Sequence, residues 1–125
     1  MAYTIDLQKE VNSILTQYGD DVVEIASETL EEVAKEAAQK LKQTSPKKTG
    51  KYARGWTYEI KKGRIDYSAT VYGKKNTYPL AHLLEHGHAK RGGGRTAPIT
   101  HIKPVEEWAI SELENRITQR LETMV

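Results

Sequence analysis

His82, Glu85 and His86 spell H-x-x-E-H, a pattern in which one helical turn offers a metal two imidazoles and a carboxylate. Residues four apart share a helical face, so both rings could reach one zinc ion while Glu85 acted as general base on a metal-bound water. A catalytic zinc needs a third protein ligand. The sequence supplies candidates only in His88, His101, Glu106, Glu107 or a neighbour on the last helix. Gly87 follows the pair at once and is expected to end its helix. A chain of 125 residues also leaves little room for a cleft around such a site. The plainer reading is a short amphipathic turn that buries Leu80, Leu83 and Leu84 and leaves His82, Glu85 and His86 at or near the surface. A motif this short, outside its usual context, favours that plainer reading.

No other constellation suggests catalysis, and neither an enzyme nor a cofactor nor a bound metal is expected. There is no cysteine, hence no thiolate nucleophile, disulfide or zinc–sulfur site. Gly92, Gly93 and Gly94 do not form a phosphate loop, which needs a second glycine and a Lys-Ser or Lys-Thr pair between strand and helix. Serine stands in no nucleophile elbow, and no paired carboxylates mark a hydrolytic site. The three glycines are flanked instead by Lys90, Arg91 and Arg95. Glycines and like charges oppose compact packing, so residues 88–96 are expected to form a flexible arm that orders against a partner.

The residues around that arm carry a resemblance. Leu84-Glu85-His86-Gly87-His88-Ala89, Arg91-Gly92-Gly93-Gly94-Arg95, Pro98 and His101-Ile102-x-Pro104 follow one another in order. Upstream stands Ser45-Pro46-x-x-Thr49-Gly50-x-Tyr52-x-x-Gly55-Trp56. Together these segments resemble the head–tail joining proteins of tailed bacteriophages, described as neck, tail-completion or tail-component proteins. The order of parts covers nearly the whole chain. Tyr52, where leucine is common, and Thr96-Ala97, where a Val-Gly type of pair is common, depart from the pattern. The resemblance implies a structural virion protein of a phage or prophage, assembled in the host cytoplasm. It implies a ring of identical copies at the neck, in contact with adjacent neck or tail proteins. DNA in the channel would then lie close by without sequence-specific binding. Glu85, His86, Gly87, His88, Lys90, Arg91, Arg95, Pro98, His101 and Pro104 would shape or make the contacts. Thr49, Gly50 and Trp56 would lead the chain into its sheet.

Length and composition bound the elements that must position these residues. The chain is expected to be a single domain over 1–125. Its net charge of +2 is too small to argue for a nucleic-acid module. No apolar run approaches membrane-spanning length, and the N-terminus lacks the pattern of a signal peptide, so a soluble protein that does not contact membrane is expected. With no phenylalanine, Tyr, Trp and Leu must fill the core.

Leu7, Val11, Ile14, Leu15 and Tyr18 recur at helical spacing, predicting a helix from Ile5 to Tyr18 that stops at Gly19. Asp20 and Asp21, with Glu24 close behind, predict the start of a second helix. Its stripe of Val23, Ala26, Leu30, Val33, Ala34, Ala37 and Leu41 continues to about Lys42. Alternation then predicts a hairpin. Trp56, Tyr58 and Ile60 form one strand, Lys62-Gly63 the turn, and Ile65, Tyr67, Ala69 and Val71 the return. Ala97 to Ile102 is a candidate third strand. Pro104 is placed as the first residue of a final helix, with Val105, Trp108, Ala109, Leu113, Ile117, Leu121 and Met124 as its stripe and Trp108 as a core anchor. The expected class is α+β: two long helices and an N-terminal helix packed on a small antiparallel sheet built around a β-hairpin.

Overall fold

The computed structural model describes residues 5–18, 22–46, 50–62, 67–74, 78–90 and 92–123. The elements run β1 (Ile5–Asp6), α1 (Gln8–Tyr18), α2 (Val23–Thr44), α3 (Lys51–Arg54), β2 (Trp56–Lys62), β3 (Tyr67–Gly73), α4 (Tyr78–His86) and α5 (Ile102–Glu122). The three strands form an antiparallel sheet in the order β1-β3-β2, so the α+β class holds.

The hairpin of β2 and β3 is in the register the alternation implies, with Trp56 opposite Gly73, Tyr58 opposite Val71 and Ile60 opposite Ala69. Gly63 and Ile65, read as turn and strand start, lie outside the described residues. The third strand is not Ala97–Ile102. Residues 97–101 form no strand and Ile102 already opens α5. The place beside β3 is taken by β1, with Ile5 opposite Val71 and Asp6 opposite Thr70.

That pairing also corrects the first helix. Helical spacing from Ile5 onward hid a short strand, because Ile5 and Leu7 are both fully buried under either reading. Asp6 decides the matter: its Oδ1 accepts the Gln8 N–H at 3.0 Å, so the helix begins after it. The Leu7 N–H stays with the sheet, donating to the Ala69 carbonyl at 3.0 Å.

Helix α2 spans about 33 Å at 1.5 Å per residue over its 22 residues. It lies directly on β2 and β3, and α5 packs along it. Two neighbours explain why burial on α2 is wider than a single stripe, taking in Ser27, Thr29 and Ala38 besides Ala26, Leu30, Val33, Ala34, Ala37 and Leu41. Its alanines admit both layers closely. Leu30, Leu41 and Leu113 are completely buried, each contributing roughly 1.5–3 kcal/mol over an exposed position. Val22 precedes α2 and supplies no side-chain cap. Gly19, Asp20 and Asp21, the expected stop and start signals, lie outside the described residues, as does Met124.

The break between α2 and the sheet holds one helical turn that the pattern did not reveal. Gly50 adopts φ 81°, a left-handed conformation open to glycine at little cost, and α3 starts from it. Trp108 is only partly buried on α5, with Lys40 Nζ 4.5 Å from its ring centroid, so it packs at the rim of the core. No helix among the described residues is long and apolar enough to cross a membrane.

Candidate functional site

The expected arm leaves the end of α4 and returns to the start of α5. Gly87 makes the exit, at φ 75°. A Cβ there would run into the backbone carbonyl of Thr96 on the returning limb of the arm. The position therefore requires glycine both for its φ and for close approach. The Ile99 N–H donates to the Leu84 carbonyl at 2.7 Å, satisfying one of the acceptors that a helix end leaves open.

Between these points the arm closes on itself as a small hairpin. Ala89 bridges Arg95, the Thr96 N–H reaches the His88 carbonyl at 2.8 Å, and the Lys90 N–H reaches the Gly94 carbonyl at 2.8 Å. Gly93 and Gly94 turn the chain at φ 106° and 76° with open space where a side chain would stand. The His88 N–H donates to Thr96 Oγ1 at 2.9 Å, and Arg95 donates to the Gly87 carbonyl at 3.2 Å. Lys90 and Arg95 are exposed at the surface, whereas His88 is half-buried. Pro98 and Ile99 are exposed too, Ile99 with 47% of its surface open and Leu80 with 44%. Arg91 lies outside the described residues.

Glu85 is not at the surface, contrary to the amphipathic-turn reading; it is 6% exposed. Leu80 is correspondingly not buried, and Leu83 and Leu84 are half-buried. The reason lies across the arm. Glu85 Oε1 accepts the backbone N–H of His101 at 2.8 Å and of Ile102 at 2.9 Å, and Oε2 accepts that of Lys103 at 3.1 Å. One carboxylate thus satisfies three of the donors that every helix start leaves unpaired, and it faces the positive end of the α5 dipole. Burial pushes the Glu85 carboxyl up, but the three N–H donors and the nearby His101 ring outweigh it, leaving the group below the ordinary carboxylate value. Helix α5 begins two residues earlier than Pro104 because its start is fixed by Glu85. Pro104 falls within the first turn, where its missing N–H costs nothing.

His101 is 3% exposed, held between both halves of the chain. Its Nδ1 lies 2.7 Å from the Ile99 carbonyl, which can only accept, so this nitrogen carries a proton. The ring's Nε2 lies 2.6 Å from the Tyr52 hydroxyl; in the neutral ring it accepts that O–H. Burial, and secondarily the Glu85 charge, push the Tyr52 phenol well above its usual range, so the donor stays protonated. Tyr52 meets the Trp56 ring edge-on at 5.9 Å, and Trp56 Nε1 donates to Ser45 Oγ at 2.9 Å. Ser45 turns its own hydroxyl back to the Leu41 carbonyl at the end of α2. Hydrogen bonds from Trp56 to Ser45 and between Tyr52 and His101, bridged by the edge-on contact of the two aromatic rings, therefore join the end of α2, the entry to β2 and the start of α5.

Several expected site residues thus meet: Glu85, Gly87 and His101 at the base of the arm, and Trp56 through Tyr52. Trp56 is a core residue at 1% exposure, and Gly50 serves α3. Thr49 lies outside the described residues, as does the side chain of His82. His86 is exposed on the last residue of α4. The expectation missed Tyr52 and Thr96 as working residues, although both were visible as departures from the bacteriophage pattern. In each case a hydroxyl holds a histidine: Tyr52 holds His101, and Thr96 holds His88.

The arrangement does not make a hydrolytic centre from Glu85, whose two oxygens are directed at the α5 backbone. Among the described residues, no group of three His, Asp or Glu side chains is placed to hold a metal ion. The base of the arm is instead tied by hydrogen bonds to the start of α5, and Lys90 and Arg95 beyond it are exposed. A family model described as "Bacteriophage HK97-gp10, putative tail-component" matches residues 6–87, more than half of the chain, from Asp6 in the first strand to the exit glycine of the arm. No curated protein and no solved structure matches the sequence.

Proposed function

Because the chain belongs to the family described as bacteriophage HK97-gp10, putative tail-component, we propose that it is a structural virion protein that joins head to tail. In this reading copies close into a ring at the neck or the top of the tail and complete the connection to neighbouring neck or tail proteins. Head-to-tail contacts that close by rotation build such a collar from a single chain around the DNA channel. The observation that carries the reading is the architecture of the arm. Glu85 binds the start of α5 with three backbone hydrogen bonds, while the cationic tip it anchors projects from the surface. A buried carboxylate committed to the backbone supports presentation of a contact surface and lends nothing to the zinc-hydrolase alternative built on His82, Glu85 and His86.

The test is deletion of residues 90–95 in the phage that carries this chain. The shortened protein should remain folded, with an unchanged helical circular-dichroism spectrum, while heads and tails accumulate unjoined. Wild-type particle yields from the deletion would overturn a joining role for the arm.

A further inference from the structure

Helices α1 and α5 leave a groove of about 270 Å³ between them, floored by Ile14 and Ile117 and edged by Glu10, Gln17, Glu114 and Thr118. Two features of this groove call for a cation. Both charged residues on its wall are glutamates. Further, Glu10 Oε2 is buried without a hydrogen-bond partner among the described residues, an arrangement that costs free energy until a donor arrives. The same chain carries the complementary feature at the N-terminal end of α5. Glu85 ties the arm, with exposed Lys90 and Arg95, to the first residues of that helix. Glu114 stands 12 residues beyond Ile102, about 18 Å along the axis at 1.5 Å per residue.

We propose that the arm of one copy docks in the α1–α5 groove of the next, with the Lys90 ammonium set against the Glu10 and Glu114 carboxylates. The contact is heterologous: arm and groove are different surfaces, each copy has one of both, and propagation around an axis closes a ring. This inference rests on the self-assembling reading above and deepens it by assigning the two faces that meet. Electrostatic complementarity at such a rim chiefly sets orientation and rejects wrong partners.

The absence of native cysteine allows a direct test. In the Lys90→Cys/Glu114→Cys double variant, mild oxidation of assembled particles or concentrated protein should yield a reducible ladder of dimers, trimers and higher species. Either single variant should stop at dimers. In parallel, Lys90→Glu and Glu114→Lys should each lower particle yield at least tenfold, and combining them should restore it. A double-cysteine variant giving only monomers and dimers, where an amine-reactive cross-linker gives a full ladder, would overturn the pairing while leaving the ring intact. No ladder from either reagent in assembled particles would remove the ring itself, and the pairing with it. If the arm serves another virion protein, the double-cysteine ladder will be absent and the charge swap will not rescue.

Discussion

Glu85 and His101, sixteen residues apart across the arm, are bonded by the His101 backbone N–H donating to Glu85 Oε1 at 2.8 Å, with the ring Nδ1 a further 3.1 Å from the same oxygen. This pair closes the base of the arm. It converts a glycine-rich excursion into a loop whose two ends have fixed positions, so the cost of ordering falls on the tip alone.

Replacing Glu85 with alanine leaves three N–H donors at a largely buried helix start without partners. The expected loss is about 3 kcal/mol, combining the missing cap with desolvated donors. Glu85→Gln keeps one acceptor oxygen but turns an N–H₂ toward donors, so it should recover less than half of that. Urea denaturation followed by tryptophan fluorescence measures both. A loss below about 1 kcal/mol in Glu85→Ala would mean that the start of α5 is held by something else.

The same carboxylate predicts a pH dependence. Its folded-state pKa lies below the ordinary value of 4.5, so the unfolded chain takes up its proton first as pH falls. The stability due to Glu85 is therefore complete above about 4.5 and fades as pH drops through the lower folded value. Glu32 and Glu36 shift in the same direction, held down mainly by hydrogen bonds from Arg120 and Arg116 respectively. These two titrate equally in wild type and Glu85→Gln and cancel between them. The stability gap between those proteins should stay constant from neutral pH to about 5 and shrink below 4.5. A gap that widened on acidification would contradict the assignment.

What the sequence made legible followed from periodicity. The stripe on α2 and the alternation from Trp56 to Val71 placed the long helix and the hairpin because side-chain burial there repeats with the backbone. The strand at Ile5 was hidden because two residues cannot establish a period, and Asp6 acts through one local hydrogen bond. Glu85 was misplaced for a related reason. Its burial is set by donors sixteen to eighteen residues downstream, and nothing within α4 announces them. Gly87 and the order of motifs around it were legible because glycine at a helix end has few other uses. The bacteriophage resemblance captured which residues belong together, while the structure supplied what each one holds.

The glycines of the arm should not be equivalent. In Gly87→Ala a methyl group meets the Thr96 carbonyl and the residue must hold φ 75°, so backbone must move or the base must open. A loss of roughly 2–4 kcal/mol is expected. Gly93 has φ 106° but open space around it, so Gly93→Ala should incur only conformational strain, about 1 kcal/mol. Thermal unfolding of the two variants side by side checks the contrast, and equal losses would show that close approach at Gly87 is unimportant.

Tyr52→Phe removes one oxygen and keeps the aromatic edge against Trp56. The His101 ring then loses the partner 2.6 Å from Nε2 in a buried position. Destabilisation of about 1–2 kcal/mol is expected. Tyr72→Phe, on half-buried β3, serves as control and should change stability by less than about 0.5 kcal/mol. If the two variants unfold at the same denaturant concentration, the tyrosine–histidine bond contributes nothing to closing the site.

The α2–α5 seam has its own polar lock, distinct from the arm. Arg116 forks onto Glu36 at 2.6 and 3.0 Å and reaches Glu112 at 2.9 Å, while Arg120 forks onto Glu32 at 2.7 and 3.0 Å. Arg116 is the more sheltered, with 20% of its side chain exposed. Lysine cannot reproduce two parallel hydrogen bonds from one planar group, so Arg116→Lys should lose about 1 kcal/mol despite its retained charge. The deficit should shrink little in 0.5 M salt, since it arises from geometry more than from screened charge. Arg120→Lys, more exposed at 40%, should lose less and more of it to salt. Denaturation of both variants at low and high salt separates the two cases. Identical salt responses would mean that the seam is held by net charge alone and that the guanidinium fork on Glu36 is incidental.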